Sequence, residues 1–146
     1  MARFNYRLQT VLNVKKQMED KAKNELANTI QTLHQEEQKL EKIINERDNC
    51  YHSVMIESKE GLNVQRLITY NRYLNAVNLQ MNIQHKNVNN ASENVDIYRE
   101  KLVDMSKEKK MLETLKDKKL QEYRFDELKV EEKRIEEIVS YKFIRA

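Results

Sequence analysis

Apolar side chains recur at alternating steps of three and four from Leu67 to Leu112: Leu67, Tyr70, Leu74, Val77, Met81, Gln84, Val88, Ala91, Val95, Tyr98, Leu102, Met105, Lys109 and Leu112. Only Gln84 and Lys109 interrupt the set. A 3.5-residue period held this long keeps one stripe of a helix against a neighbour and winds the pair into a left-handed supercoil. Upstream, Leu26, Ile30, Leu33, Glu37, Leu40, Ile44, Arg47, Tyr51 and Val54 follow the same spacing. Leu8, Val11, Met18 and Ala22 extend it toward the N-terminus, joined by a four-four step through Ala22, Leu26 and Ile30 that locally unwinds the coil.

The rest of the composition leaves little besides helix. The 146 residues include no proline and one glycine, Gly61, whereas sheets and loop-rich enzymes draw on both for turns. A hydrophobic content of 39% with three phenylalanines suits a narrow seam better than the single sizeable core that a compact domain of this length would bury. The repeat fails once, at Glu57 to Gly61. Glycine accepts the left-handed backbone that ends a helix, and Asn63 is placed to cap the next one. The expected fold is therefore all-α, an elongated antiparallel two-helix coiled coil. It forms one helical hairpin over residues 1–146, with helix 1 at about 4–57, a hinge at about 58–62 and helix 2 at about 63–140. Counting outward from the hinge sets Phe4 opposite about residue 115, so roughly thirty C-terminal residues overhang the first arm and an unbroken second helix is on the order of 100 Å long.

The two parts of the second arm differ in chemistry. Lys107 to Ala146 is more than half charged, with the seam loosening into Leu128, Ile135, Ile138 and Phe143, and it is expected to fray unless bound. Glu113 with Lys116 and Lys129 with Glu132 supply favourable three-residue pairs there. Gly61 to Arg99 has six charges and nine asparagines, and asparagine is a mediocre helix former, so this part depends on packing. It also has an apolar surplus. Between Leu67 and His85, Ile68, Tyr73, Ala76, Leu79 and Ile83 lie outside the seam, and one partner helix cannot cover them all. The expectation is an exposed patch centred on Tyr73, since aromatic side chains anchor interfaces.

Little in the sequence supports catalysis. His34, His52 and His85 are scattered, and adjacent helical residues in Cys50-Tyr51-His52 point about 100° apart, so no thiol faces a base. A two-helix rod has no closed pocket in which to desolvate reacting groups. No catalytic residue, cofactor or metal ligand is expected. A net charge of +3 with mixed signs is a weak basis for nucleic-acid binding. The lysine-rich run Lys107 to Lys119 reads as a solvated face or a contact for an acidic protein surface; it lacks aromatics to stack on bases. Lone Cys50 is compatible with a reducing compartment. The longest apolar run, Val54 to Ile56, is far short of a membrane span, and the N-terminus does not read as a signal peptide. A soluble intracellular protein is expected.

Three stretches together, "FNYRLQTVLNVKKQMEDKAKNELA" at Phe4 to Ala27, "LITYNRYL" after the glycine, and "EEKRIEEIVSYKF" near the end, resemble the flagellar export protein family FliJ in order and over nearly the whole chain. The resemblance implies a two-helix coiled coil similar to the stalk of the rotary ATPase gamma subunit. It also implies a non-enzymatic role in the flagellar type III export apparatus. There the rod enters the hexameric ring of the export ATPase, promotes its assembly and activity, and contacts the cytoplasmic domain of the export gate protein FlhA. It also helps cycle export chaperones, and is located in the cytoplasm, peripheral to the inner membrane. The nearest counterparts of the family's gate-binding residues are Leu40, Ile44, Tyr51, Tyr73 and Val77; a rod with both ends of the chain at one tip can enter a ring with that tip, which makes Phe4, Leu8, Val11, Ile135 and Ile138 the expected ATPase-facing residues. Two positions depart from the family pattern: Arg47 replaces an aromatic, and the histidine closing the second-helix face is one step off, at His85. The residues alone leave three other readings open: a stalk of an injectisome or rotary ATPase, a nucleic-acid-binding coiled-coil arm, and a scaffold that dimerises through its surplus face.

Overall fold

A computed structural model describes residues 3–145 of the chain; Met1, Ala2 and Ala146 of the expected hairpin lie outside the described residues. It contains two helices, α1 at Gln9–Glu60 and α2 at Val64–Arg145, with no strand among the described residues. They pack against each other antiparallel, so the protein is an all-α helical hairpin of the coiled-coil type. The chain divides into two compact units, one formed by residues up to Lys21 with those from Val103 onward, the other by Ala22–Leu102.

The turn is shorter than the expected hinge. α1 runs on to Glu60, Gly61 takes φ +98°, and α2 starts at Val64. Asn63 caps α2: its Oδ1 accepts the Gln65 amide at 3.3 Å, and its carbonyl accepts the Leu67 amide at 3.0 Å. Ser58 and Lys59 stay helical because the backbone need only reverse where the one residue free of Cβ strain sits. Nearby, Arg66 pairs with Glu57 at 3.0 Å, closing the hinge end of the second unit.

The seam of α2 follows the sequence closely. Tyr70, Leu74, Val77, Met81, Gln84, Val88, Ala91, Val95, Tyr98, Leu102, Met105, Lys109 and Leu112 are all buried or half-buried, and only Leu67 of the expected set is exposed. The seam of α1 needs correction. Its least exposed positions are Leu12, Lys15, Glu19, Ala22, Leu26, Thr29, Leu33, Glu36, Leu40, Ile43, Arg47, Cys50, Val54 and Glu57, an unbroken alternation of three and four with no four-four step. Ile30, Glu37 and Tyr51 therefore stand one place outside the seam, as do Val11 and Met18, and all five are exposed, together with Leu8. A constant 3.5 period avoids the local unwinding that the step would impose, and the polar residues it admits find partners.

Those partners are specific. In the second unit, Gln84 Nε2 donates to the Glu36 carbonyl at 2.9 Å and to its carboxylate at 2.5 Å, and Thr29 Oγ1 donates to the Leu26 carbonyl at 2.8 Å. The Gln84 bond holds the Glu36 carboxyl below its ordinary range, against the opposing pull of desolvation. Arg47 Nη1 lies 3.6 Å from Met81 Sδ. In the first unit, Lys109 Nζ donates to Glu19 Oε1 at 3.0 Å, which raises the lysine pKa. Lys15 pairs with Glu108 at 2.7 Å. The buried members of these pairs, Gln84 and Glu19, favour this register, because a slip leaves them desolvated without their partners.

The N-terminal segment also differs from the expectation of a helix from Phe4. Residues 3–6 are not helical, and Gln9 N donates to Tyr6 O at 3.0 Å as α1 begins. Tyr6 is buried and its hydroxyl donates to the Leu112 carbonyl at 3.1 Å. Phe4 stacks against Tyr123 at 5.5 Å between ring centroids, eight residues further along α2 than the helical count of about 115. Extended chain advances about 3.3 Å per residue against about 1.5 Å in a helix, which accounts for the longer reach. Beyond Tyr123, residues 124–145 are helical and exposed throughout.

Candidate docking surfaces

The apolar surplus after the turn is uncovered. Ile68, Tyr73, Ala76, Leu79 and Ile83 are all exposed, as are Val64 and Leu67. At 100° per residue, Ala76, Leu79 and Ile83 lie on the side of α2 away from its seam, with Tyr73 at the margin. They form one face because the seam residues Leu74, Val77 and Met81 take the other side.

Of the residues expected to meet the export gate, Tyr73 alone borders that face. Val77 is 3% exposed and closed within the seam, where it holds the helices together and presents nothing outward. Leu40 and Ile44 are half-buried. Tyr51 and Tyr73 are 49% and 45% exposed but flank opposite sides of the seam. Tyr51 follows the seam residue Cys50, whereas Tyr73 precedes Leu74, and in an antiparallel pair those two positions diverge. Tyr70, inside the seam, has its hydroxyl pKa raised by its hydrogen bond to Glu57.

The residues expected to meet the ATPase fall into two groups within the first unit. Phe4 is half-buried on Tyr123, in a groove that Leu8, Leu115 and Lys119 also line. Leu8 and Val11 are exposed beside the seam. Ile135 and Ile138 are exposed in the helix beyond Tyr123, more than ten residues from the Phe4 contact. Phe125 and Val139, absent from the expected set, are as exposed as Ile135; their spacing from Leu128 and Ile135 was the available signal. In the lysine-rich run, Lys109 is committed to Glu19 and Lys119 to Glu122 at 3.4 Å, and Lys107, Lys110 and Lys118 are exposed.

Cys50 is a buried seam residue, while His34, His52 and His85 are exposed. Among the described residues no cluster of His, Cys, Asp or Glu could hold a metal ion, and no helix is long and apolar enough to cross a membrane.

Fold and surfaces together define an antiparallel coiled-coil hairpin with uncovered apolar faces on its longer helix. The family described as "Flagellar FliJ protein" matches residues 4–146, and the chain belongs to that family, whose members are components of flagellar type III export. The solved structure of CT670 from Chlamydia trachomatis, described as a YscO homologue, has the same fold: TM-score 0.66, 23% identity, 93% of each chain covered. No curated protein sequence matches significantly.

Proposed function

We propose that the chain is a non-enzymatic, stalk-like part of the flagellar type III export apparatus, holding its partners through exposed helix faces. The observation behind this reading is the pair of apolar helical faces left uncovered, one in each unit, in a chain of the FliJ family. The Phe4, Leu8 and Val11 segment with the α2 helix beyond Tyr123 enters the ring of the export ATPase and promotes its assembly and activity. The α2 face with Tyr73, Leu79 and Ile83 meets the cytoplasmic domain of the gate protein FlhA. Export chaperones use the same docking system, and the chain works in the cytoplasm, peripheral to the inner membrane through these contacts.

The seam position of Val77 makes it the wrong probe for the gate contact, since its truncation disturbs the hairpin itself. Tyr73→Ala with Leu79→Ala removes only exposed side chains and should abolish co-precipitation with the gate domain while leaving the melting temperature within a few degrees. Undiminished co-precipitation refutes the gate assignment. Deletion of residues 127–146 should leave the paired helices folded and remove stimulation of ATP hydrolysis; stimulation that survives it refutes the ATPase assignment.

A further inference from the structure

In the second unit, Arg72, Ala76, Leu79, Ile83 and Lys86 follow one another along α2 at alternating steps of four and three, on the side of the helix away from its seam. All five are exposed, Leu79 to 62%. A cation stands at each end of the apolar centre, the two about 21 Å apart along the helix axis. Neither is neutralised. The other cations of α2 in this unit, Arg66, Arg99 and Lys101, pair with carboxylates at 3.0, 3.9 and 3.4 Å. Arg72 and Lys86 pair with none, because α2 carries no acidic residue before Glu93. We propose that this face docks an acidic amphipathic helix of another protein, whose carboxylates meet Arg72 and Lys86 while its apolar side chains cover Ala76, Leu79 and Ile83.

Sign and polarity select that occupant over the others. A second copy of the face is opposed by charge in either orientation: parallel pairing sets Arg72 on Arg72 and Lys86 on Lys86, and antiparallel pairing about Leu79 sets Arg72 on Lys86. An anionic membrane is a poor fit, since Asn75, Asn82 and Asn90 lie on the same face and their amides would enter the hydrocarbon boundary without partners. Nucleic acid calls for a continuous basic stripe rather than two cations with apolar residues between them. A protein helix meets each requirement. The 3.5-residue stripe offers rows that interdigitate with a helix, the small Ala76 lets it come close, and the asparagine amides remain free to bond its polar flank. The face is the one assigned above to the gate domain, so naming that domain as owner of the acidic helix rests on that reading; the charge requirement does not.

The test titrates the full chain into a labelled, alanine-based helical peptide that carries two glutamates spaced as Arg72 and Lys86 are, with leucines between them on one face. Saturable binding is expected, weakening about tenfold between low salt and about 0.5 M. A peptide with lysines in place of the glutamates should not bind. Arg72→Glu with Lys86→Glu should reverse the preference, releasing the glutamate peptide and capturing the lysine one. Circular dichroism of this variant should match the parent, since both side chains are exposed. Failure of the glutamate peptide to bind, equal binding of both peptides, or undiminished binding of the glutamate peptide by the variant overturns the proposal. So does sedimentation of the parent, but not the variant, with phosphatidylserine vesicles, which makes the face a membrane contact. With the gate domain as probe, the same loss in the variant is expected. Gate binding that Tyr73→Ala with Leu79→Ala removes but the charge reversal spares overturns the acidic contact. Gate binding that neither variant alters overturns the preceding reading and leaves the peptide result standing.

Discussion

Within the seam, neighbouring residues differ sharply in what they contribute. Leu12 is 1% exposed while Leu8, in the turn before α1, is 36% exposed. Leu12→Ala should therefore cost about 2–4 kcal/mol in urea unfolding and Leu8→Ala well under about 1 kcal/mol. Gln84 ties stability to pH. Its bond to Glu36 lowers the carboxyl's folded pKa, so the associated stability is present above the unfolded value of 4.5 and is lost as pH falls through the folded value. Acid melts of the parent should show this decline below about pH 4.5, and Gln84→Leu should flatten it. Lys109 has the opposite sign: its raised pKa stabilises below 10.5 and the contribution fades at higher pH.

Element by element, the turn and the helix ends are governed by backbone requirements. A Cβ at Gly61 would meet nothing within 4 Å, but φ +98° is a conformation that only glycine adopts without strain. Gly61→Ala should thus cost about 1–2 kcal/mol in thermal unfolding from backbone strain alone. The start of α1 is set by the buried Tyr6 and its bond to Leu112, which no helical period could announce. α2 continues to Arg145 with local contacts such as Lys129 over the Phe125 ring at 4.7 Å, and its residues beyond Tyr123 have no tertiary cover. Amide hydrogen exchange should reflect this, with strong protection at Val77 to Val95 and much weaker protection from Arg124 to Arg145.

At the scale of the whole molecule, what could be read without coordinates was the architecture and the α2 seam. An uninterrupted 3.5 period, one glycine and no proline leave a two-helix hairpin as the consistent solution, because period and turn chemistry are properties of the chain. The surplus face after the turn was legible for the same reason: once the seam is assigned, Tyr73, Leu79 and Ile83 have no partner left. The α1 register was not. Ile30 against Thr29, and Tyr51 against Cys50, can each be threaded on hydrophobicity alone, which favours the larger side chain. The structure takes the smaller in both cases, because polar and small residues on one helix enter the seam only when the other supplies the matching donor or space, as Gln84 does for Glu36. Val77, a seam residue by its period and a gate contact by resemblance, is closed in the seam, and Phe4 reaches Tyr123 because the segment before α1 is not helical. Periodicity along one helix is local, but the choice between adjacent stripes is made by the energy of two surfaces meeting, and that exists only once both helices are in place.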